Sequence, residues 1–318
     1  MSAGAENDID DSAAPLIEHL AELRTRIIWA VLAFVAGIVV AFVVAEPILQ
    51  FLLEPIEQTL RALGDPSPTM QYTSPQEYLF TLFRISMVFG FVLAFPVISY
   101  QLWRFVAPGL YRTEKNAFLP FLIASPAMFL LGASFAQFVV TPLAMQFFLG
   151  FVDFPSLLSG TLARLAGAAD AVPVAADAAS HGVKITFFGK VNESLDLTLK
   201  FIVAFGLCFQ LPVLLTLMGK AGLASSKGLR GVRKYAIVGI LVVAALVTPP
   251  DVTTQVILFA VVYGLYEISI FLVQWVEKKK DEEARAEGVI GEDESLFDDP
   301  EEEDDDPLMK EFDEDGKP

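Results

Sequence analysis

PLIEHLAELRTRI, residues 15–27, runs without a break into IIWAVLAFVAGIVVAFVVA, residues 27–45. The second stretch is 19 residues with no charge. At about 1.5 Å per helical residue, such a run crosses a hydrocarbon core of about 30 Å. The signature recurs along the chain. Charge-free gaps fill 85–103, 116–152, 201–219 and 235–250, and 252–276 carries only Glu267. The 37-residue gap at 116–152 holds one span rather than two, because Pro120 and Pro126 sit in its first part and Pro142 near its end. Its second part begins at a proline and is expected to continue as a bent helix or to lie along the interface. The expectation is an all-α polytopic membrane protein of six transmembrane helices, at about 27–45, 85–103, 118–140, 201–219, 235–249 and 252–275. The fifth is short, roughly 20 Å over 235–247.

Composition agrees. The 318-residue chain is 54% hydrophobic with mean hydropathy +0.54, well above an ordinary soluble domain. The net charge of −17 is a property of one end. Residues 281–318 hold 19 acids against Arg285, Lys310 and Lys317, leaving the rest of the chain close to neutral. A block of like charge repels itself, so 277–318 reads as a disordered acidic tail. Residues 1–14 form a short acidic N-terminal extension, unlike a signal peptide, and 15–276 form the membrane domain. The single cysteine, Cys208, excludes an internal disulfide and reads as a small core hydrophobe. His19 and His181 have no cysteine partners, so no metal and no cofactor are expected, and no nucleic-acid partner.

Lysine and arginine set the orientation. They gather before the first span (Arg24, Arg26), after the second (Arg104, Arg112, Lys115), after the fourth (Lys220, Lys227, Arg230, Arg233, Lys234) and after the sixth (Lys278, Lys279, Lys280, Arg285). Both termini are therefore expected in the cytoplasm. On the other side, 46–78 carries five prolines and should form short helices and turns that cap the bundle. HGVKITFFGKV, 181–191, alternates enough for a short strand or hairpin.

On a helical wheel, Leu16, Leu20, Leu23 and Ile27 share one stripe, while Glu18, His19, Glu22 and Arg26 lie opposite, on the side expected to face water. Glu22 and Arg26 are spaced to pair, and Arg24 projects from the flank of the apolar stripe toward lipid. Juxtamembrane arginines commonly only fix orientation; the alternative is a recognition surface for a charged ligand. YQLWRFVAPGLYRTEKN, 100–116, adds Glu114 among bases. Within the spans, Gln210 precedes Pro212, and Glu267 would be costly if unpaired in lipid. Asp251 fits an N-cap of the sixth span, with Gln255 one turn on.

Four motifs then coincide: HLAELRTR before the first span, YQLWRFVAPGLYRTE after the second, AFGLCFQLP in the fourth and LVTPPDVTTQ before the sixth. Together they resemble TatC, the multi-spanning subunit of the twin-arginine protein translocase. The resemblance covers roughly 14–276. It implies a receptor rather than an enzyme, one that binds twin-arginine signal peptides of folded cargo on its cytoplasmic face. It also implies single-span TatA- and TatB-like partners, several copies in a bacterial inner-membrane complex, and export driven by the proton-motive force. Glu22 and Glu114 would hold the two arginines, which a carboxylate can grip bidentately. Arg24 and Arg26 would shape that site, and Pro55 matches a proline of the first outside loop. Asp251, Gln255 and Glu267 fall on family polar positions, and Gln210 and Glu267 would meet partner helices or the inserted signal. The chain departs from the family in carrying Gln210 where many members have glutamate, in its long 153–194 loop and in its acidic tail. A small-solute secondary transporter is the rival reading. It would want paired interrupted helices and several facing ionisable groups, which the sequence does not offer. An intramembrane enzyme lacks any catalytic constellation in the spans.

Overall fold

The computed structural model describes residues 3–62, 66–106, 119–150, 189–248, 252–286 and 296–297. Five of its helical runs are long and apolar enough to cross a membrane: Leu20–Val43, Pro75–Phe105, Pro120–Leu149, Val191–Lys220 and Val252–Ala286. A further apolar helix, Arg233–Val247, is shorter at 15 residues. The protein is a helical polytopic membrane protein, and among the described residues one two-residue strand pair is the exception.

In chain order, α1 (Ala3–Val43) joins the N-terminal extension and the first span in one unbroken helix. α2 (Ala45–Ala62) is amphipathic and buries Leu49, Leu52, Pro55, Ile56 and Leu60. After β1 (Met70–Gln71), Glu77 accepts hydrogen bonds from Thr73 and Ser74 as α3 (Pro75–Val106) begins. α4 (Leu119–Phe135) passes through a π-helical turn at Ala136–Val140 into α5 (Thr141–Gly150). The run thus continues as helix past Val140, one of the two expected courses, with a five-residue π-turn placed before Pro142.

β2 (Gly189–Lys190) pairs in parallel with β1, Met70 opposite Gly189 and Gln71 opposite Lys190. The strand expected in 181–191 is thus confined, among the described residues, to its end, and it closes on the first cap segment; 181–188 lie outside them. α6 (Val191–Cys208) and α7 (Leu211–Lys220) make up one interrupted span. Pro212 has no N–H to offer Cys208 four residues back, and the helix breaks at Phe209–Gln210. α8 (Ser226–Gly231) and α9 (Arg233–Val247) precede α10 (Val252–Ala286).

The tail boundary at 277 is corrected: α10 continues ten residues further, to Ala286. Like-charge repulsion does not apply there, because EKKKDEEARA mixes signs. Lys278 and Lys279 lie 4.0 and 3.7 Å from Glu282 and Glu283. Glu277 is buried and accepts the Ser226 N–H at 2.7 Å, tying α10 to the start of α8. The remainder of the tail lies outside the described residues except Leu296 and Phe297, where the Leu296 N–H donates to Asp281 at 3.0 Å.

The core cluster joins Phe201 and Phe205 on α6, Val140 and Ala144 on the π-turn and α5, and Leu258 and Val262 on α10. At the capped end, Pro55 has a second consequence. Lacking an N–H, it leaves the Phe51 carbonyl without its helical donor. Gln137, on the π-turn, donates to that carbonyl at 3.1 Å. A proline in α2 and a π-turn after α4 therefore share one part-buried bond.

Candidate functional site

An open cleft of about 570 Å³ lies at the mouth of α1 and α3, lined by Glu22, Thr25, Arg26, Trp29, Gln101 and Arg104. Arg26 Nη2 reaches Glu22 Oε1 at 2.7 Å along one helical turn, and Arg26 Nη1 donates to Gln101 Oε1 at 3.3 Å across to α3. The Arg26 side chain is 17% exposed and Glu22 33%. Arg104 donates to the Tyr100 hydroxyl at 3.2 Å and lies 5.9 Å from that ring centre.

The amphipathic helix and its outward apolar stripe are as expected, but its polar face turns toward α3 rather than only to water. Leu20 and Ile27 of the apolar stripe are 63% and 52% exposed, whereas Arg26, on the face expected to meet water, packs toward α3. The physical reason is the solvent. A helix entering a bilayer points its apolar side outward and needs a protein partner for its polar side. Arg24 is exposed and has no ion pair or hydrogen bond among the described residues, so the two arginines occupy different environments.

Glu114 lies outside the described residues, and so does Asp251. Gln255 is half-buried one turn into α10, far along the chain from the cleft. Pro55 belongs to the cap. Gln210 and Glu267 both have partners within the chain. The Gln210 amide accepts from Ser125 Oγ at 2.7 Å and donates to the Ser125 carbonyl at 2.9 Å, stitching the interrupted span to α4. Buried and so engaged, it faces inward rather than toward a partner helix. Glu267 is not an unpaired carboxylate: Arg233 Nη2 lies 2.7 Å from Oε2, and the Tyr263 hydroxyl donates to Oε1 at 2.9 Å.

Sequence reasoning missed Gln101, Trp29, Arg104, Ser125 and Arg233 as site partners. Gln101 left one legible trace: it is a polar residue near the end of an otherwise uncharged apolar run, three residues before Arg104. Arg233 counted only toward orientation, because its proximity to Glu267 requires α9 to fold back on α10. At the capped end a second hollow is rimmed by Glu46, Gln50, Glu57, Tyr72 and Tyr78. Burial, with Tyr78, Glu77 and Glu46 nearby, pushes the Tyr72 phenol above its ordinary range. No group of three or more metal-ligating side chains occurs among the described residues.

The fold and the cleft define a class: a multi-pass helical membrane protein whose charged groove opens at one end of its first two spans. Residues 18–260 match the family described as Sec-independent protein translocase protein (TatC). The chain is 40% identical over 277 residues to the Sec-independent protein translocase protein TatC of Magnetococcus marinus, covering 87% of this chain and 90% of that one. It is 39% identical over 272 residues to its counterpart in Aquifex aeolicus, covering 86% and 100%. A crystal structure titled as the twin-arginine translocase receptor TatC superposes with a TM-score of 0.64 at 38% identity, over 81% of this chain and 99% of that one. The chain belongs to the TatC family and is a protein-transport component of the twin-arginine translocase.

Proposed function

We propose that this chain is the receptor subunit of the translocase and binds twin-arginine signal peptides of folded cargo in the α1–α3 cleft. In this reading both termini are cytoplasmic, six helices cross the bacterial inner membrane with α9 as the short fifth, and Glu114 joins Glu22 in the site. TatA- and TatB-like single-span subunits assemble with several copies of it, and the proton-motive force drives export.

The observation that carries this reading is the Glu22–Arg26–Gln101 chain of contacts beside an open cleft. Glu22 already holds one guanidinium in the geometry that an incoming arginine would need. An arriving guanidinium competes with Arg26 for that carboxylate, and Gln101 is placed to retain Arg26 as Glu22 turns to the peptide. Lysine offers a point charge without the planar fork and competes less well. Arg24, exposed on the flank, suits contact with lipid phosphate or the peptide's flanking residues.

The test is photo-crosslinking of a twin-arginine peptide to a reactive residue at Thr25, which lines the cleft, and at Leu102, which is exposed nearby but does not line it. The expected result is an adduct at Thr25 that weakens with a twin-lysine peptide. No adduct at Thr25, or equal adducts at both positions, removes the cleft as the receptor. Intact export of folded cargo by a Glu22→Lys, Glu114→Lys double variant removes the two carboxylates.

A further inference from the structure

At the capped end of the bundle, two cations from different helices share one carboxylate. Arg84 Nη1 on α3 donates to Asp196 Oδ1 on α6 at 3.0 Å. Lys200 Nζ, one turn further along α6, lies 2.6 Å from Asp196 Oδ2. The three side chains carry a net charge of +1. The nearest acids along the same helices are engaged elsewhere: Glu77 in the cap of α3, and Glu193 with Lys190 at 3.3 Å. Arg84 has five N–H donors, and one of them reaches Asp196. Arg84 and Lys200 are 44% and 63% exposed.

Position gives the cluster its meaning. Arg84 is the residue before the charge-free run 85–103, and Lys200 the residue before 201–219. Each apolar run is about the length of a hydrocarbon core. Both cations therefore stand at the boundary between acyl chains and headgroups on the capped side, the depth of lipid phosphates. Two separate helices present them at one level, bridged by Asp196. A lone arginine there would anchor its own helix only. A guanidinium and an ammonium held together by a shared carboxylate match a phosphate anion, the guanidinium through paired N–H groups and the ammonium through a point charge.

We propose that Arg84 and Lys200 form a phosphate clamp for an anionic phospholipid headgroup of the capped-side leaflet, with Asp196 as the group that positions both cations. The clamp sits in the seam of α3 and α6, so the bound lipid would act as a wedge between the span that lines the cleft and the interrupted span. It is independent of the receptor reading, because its residues lie at the opposite end of α3 from Gln101.

The test uses the full chain in detergent, with lipid retention measured by native mass spectrometry. The probes are phosphatidylglycerol, diacylglycerol and inorganic phosphate. Phosphatidylglycerol should be retained and diacylglycerol should not. The Arg84→Gln, Lys200→Gln double variant, which removes two charge-assisted contacts, should lose retention by about tenfold or more. Arg61→Gln, an exposed cation of the cap paired with Glu57, should change nothing. Asp196→Asn keeps both cations and an amide oxygen that still accepts from them, and removes the competing negative charge, so it should retain the lipid at least as well as the parent. A loss with Asp196→Asn equal to that of the double variant overturns the clamp in favour of a simple fastener between helices. Displacement of the lipid by millimolar inorganic phosphate overturns the lipid as the occupant. Equal retention of diacylglycerol overturns phosphate recognition altogether.

Discussion

The α1–α3 arm and the α4–α6–α7 core are built of similarly apolar helices buried to very different extents. In the most apolar stretch of Leu20–Val43 only 11% of residues are buried, against 50% for Val191–Lys220. The arm is joined by close backbone approach. A Cβ on Gly90 would stand 2.7 Å from the Ile38 nitrogen, and one on Gly37 would stand 2.5 Å from the Gly90 oxygen. The core shows the same close approach, a Cβ on Gly132 standing 2.5 Å from the Phe205 oxygen, and adds polar contact, Gln210 bonded twice to Ser125. The lesson concerns the bilayer. Apolar contact has little driving force among lipid tails, so helices associate either where small residues admit the backbone or where a polar group would otherwise be orphaned. The charged cleft lies on the little-buried arm, where a peptide can enter without dismantling the core.

The sharpest way to break the contrast is Gly90→Leu. The clash is with backbone, which cannot move aside as a side chain would, and overpacking at such a site costs about 1–3 kcal/mol or more. The expected outcome is separation of α1 from α3 and loss of peptide crosslinking at Thr25, while the thermal unfolding of the α4–α6–α7 core stays nearly unchanged. Parallel loss of both would mean that arm and core are one cooperative unit.

Gln210→Leu attacks the other side. It removes both bonds to Ser125 and leaves the Ser125 hydroxyl without its acceptor, at about 1–3 kcal/mol. Thermal unfolding should shift down while crosslinking at Thr25 survives. Gln210→Glu sharpens the point: a buried carboxylate accepting from the Ser125 hydroxyl has no donor for the Ser125 carbonyl unless protonation gives it an O–H, so this variant should be more stable at low pH than at neutral pH.

A smaller effect is expected from Arg233→Gln. The Arg233–Glu267 pair is partly exposed at both ends, and pairs of that kind contribute about 0–1 kcal/mol. Tyr263 still holds Glu267, so the variant should unfold within that margin of the parent, and a larger loss would show that the pair is effectively buried. The smallest effect, with the opposite sign, should come from Thr141→Val. The Thr141 hydroxyl is buried and unpartnered among the described residues, so replacing it with an isosteric methyl should be neutral or slightly stabilising. Destabilisation would show that it has a hydrogen-bond partner, such as a bound water.

Much of this molecule was legible in one dimension, because a bilayer imposes a length and a purity on anything that crosses it. The charge-free runs, the short fifth helix, the helical continuation of the third and the pairing of Glu22 with Arg26 all follow from spacing along the chain. Contacts between distant segments do not. Nothing in sequence order says that Gln101 reaches Arg26, that Arg233 satisfies Glu267, that Ser125 takes up Gln210 or that Gln137 repairs the carbonyl left open by Pro55. Each joins residues 34 to 86 positions apart, and each required the helices to be packed first. The direction in which α1 turns its polar face belongs with them. Periodicity defines two faces of a helix; which one meets the protein is decided by what stands beside it, and for α1 that is α3, with the apolar stripe left to the lipid.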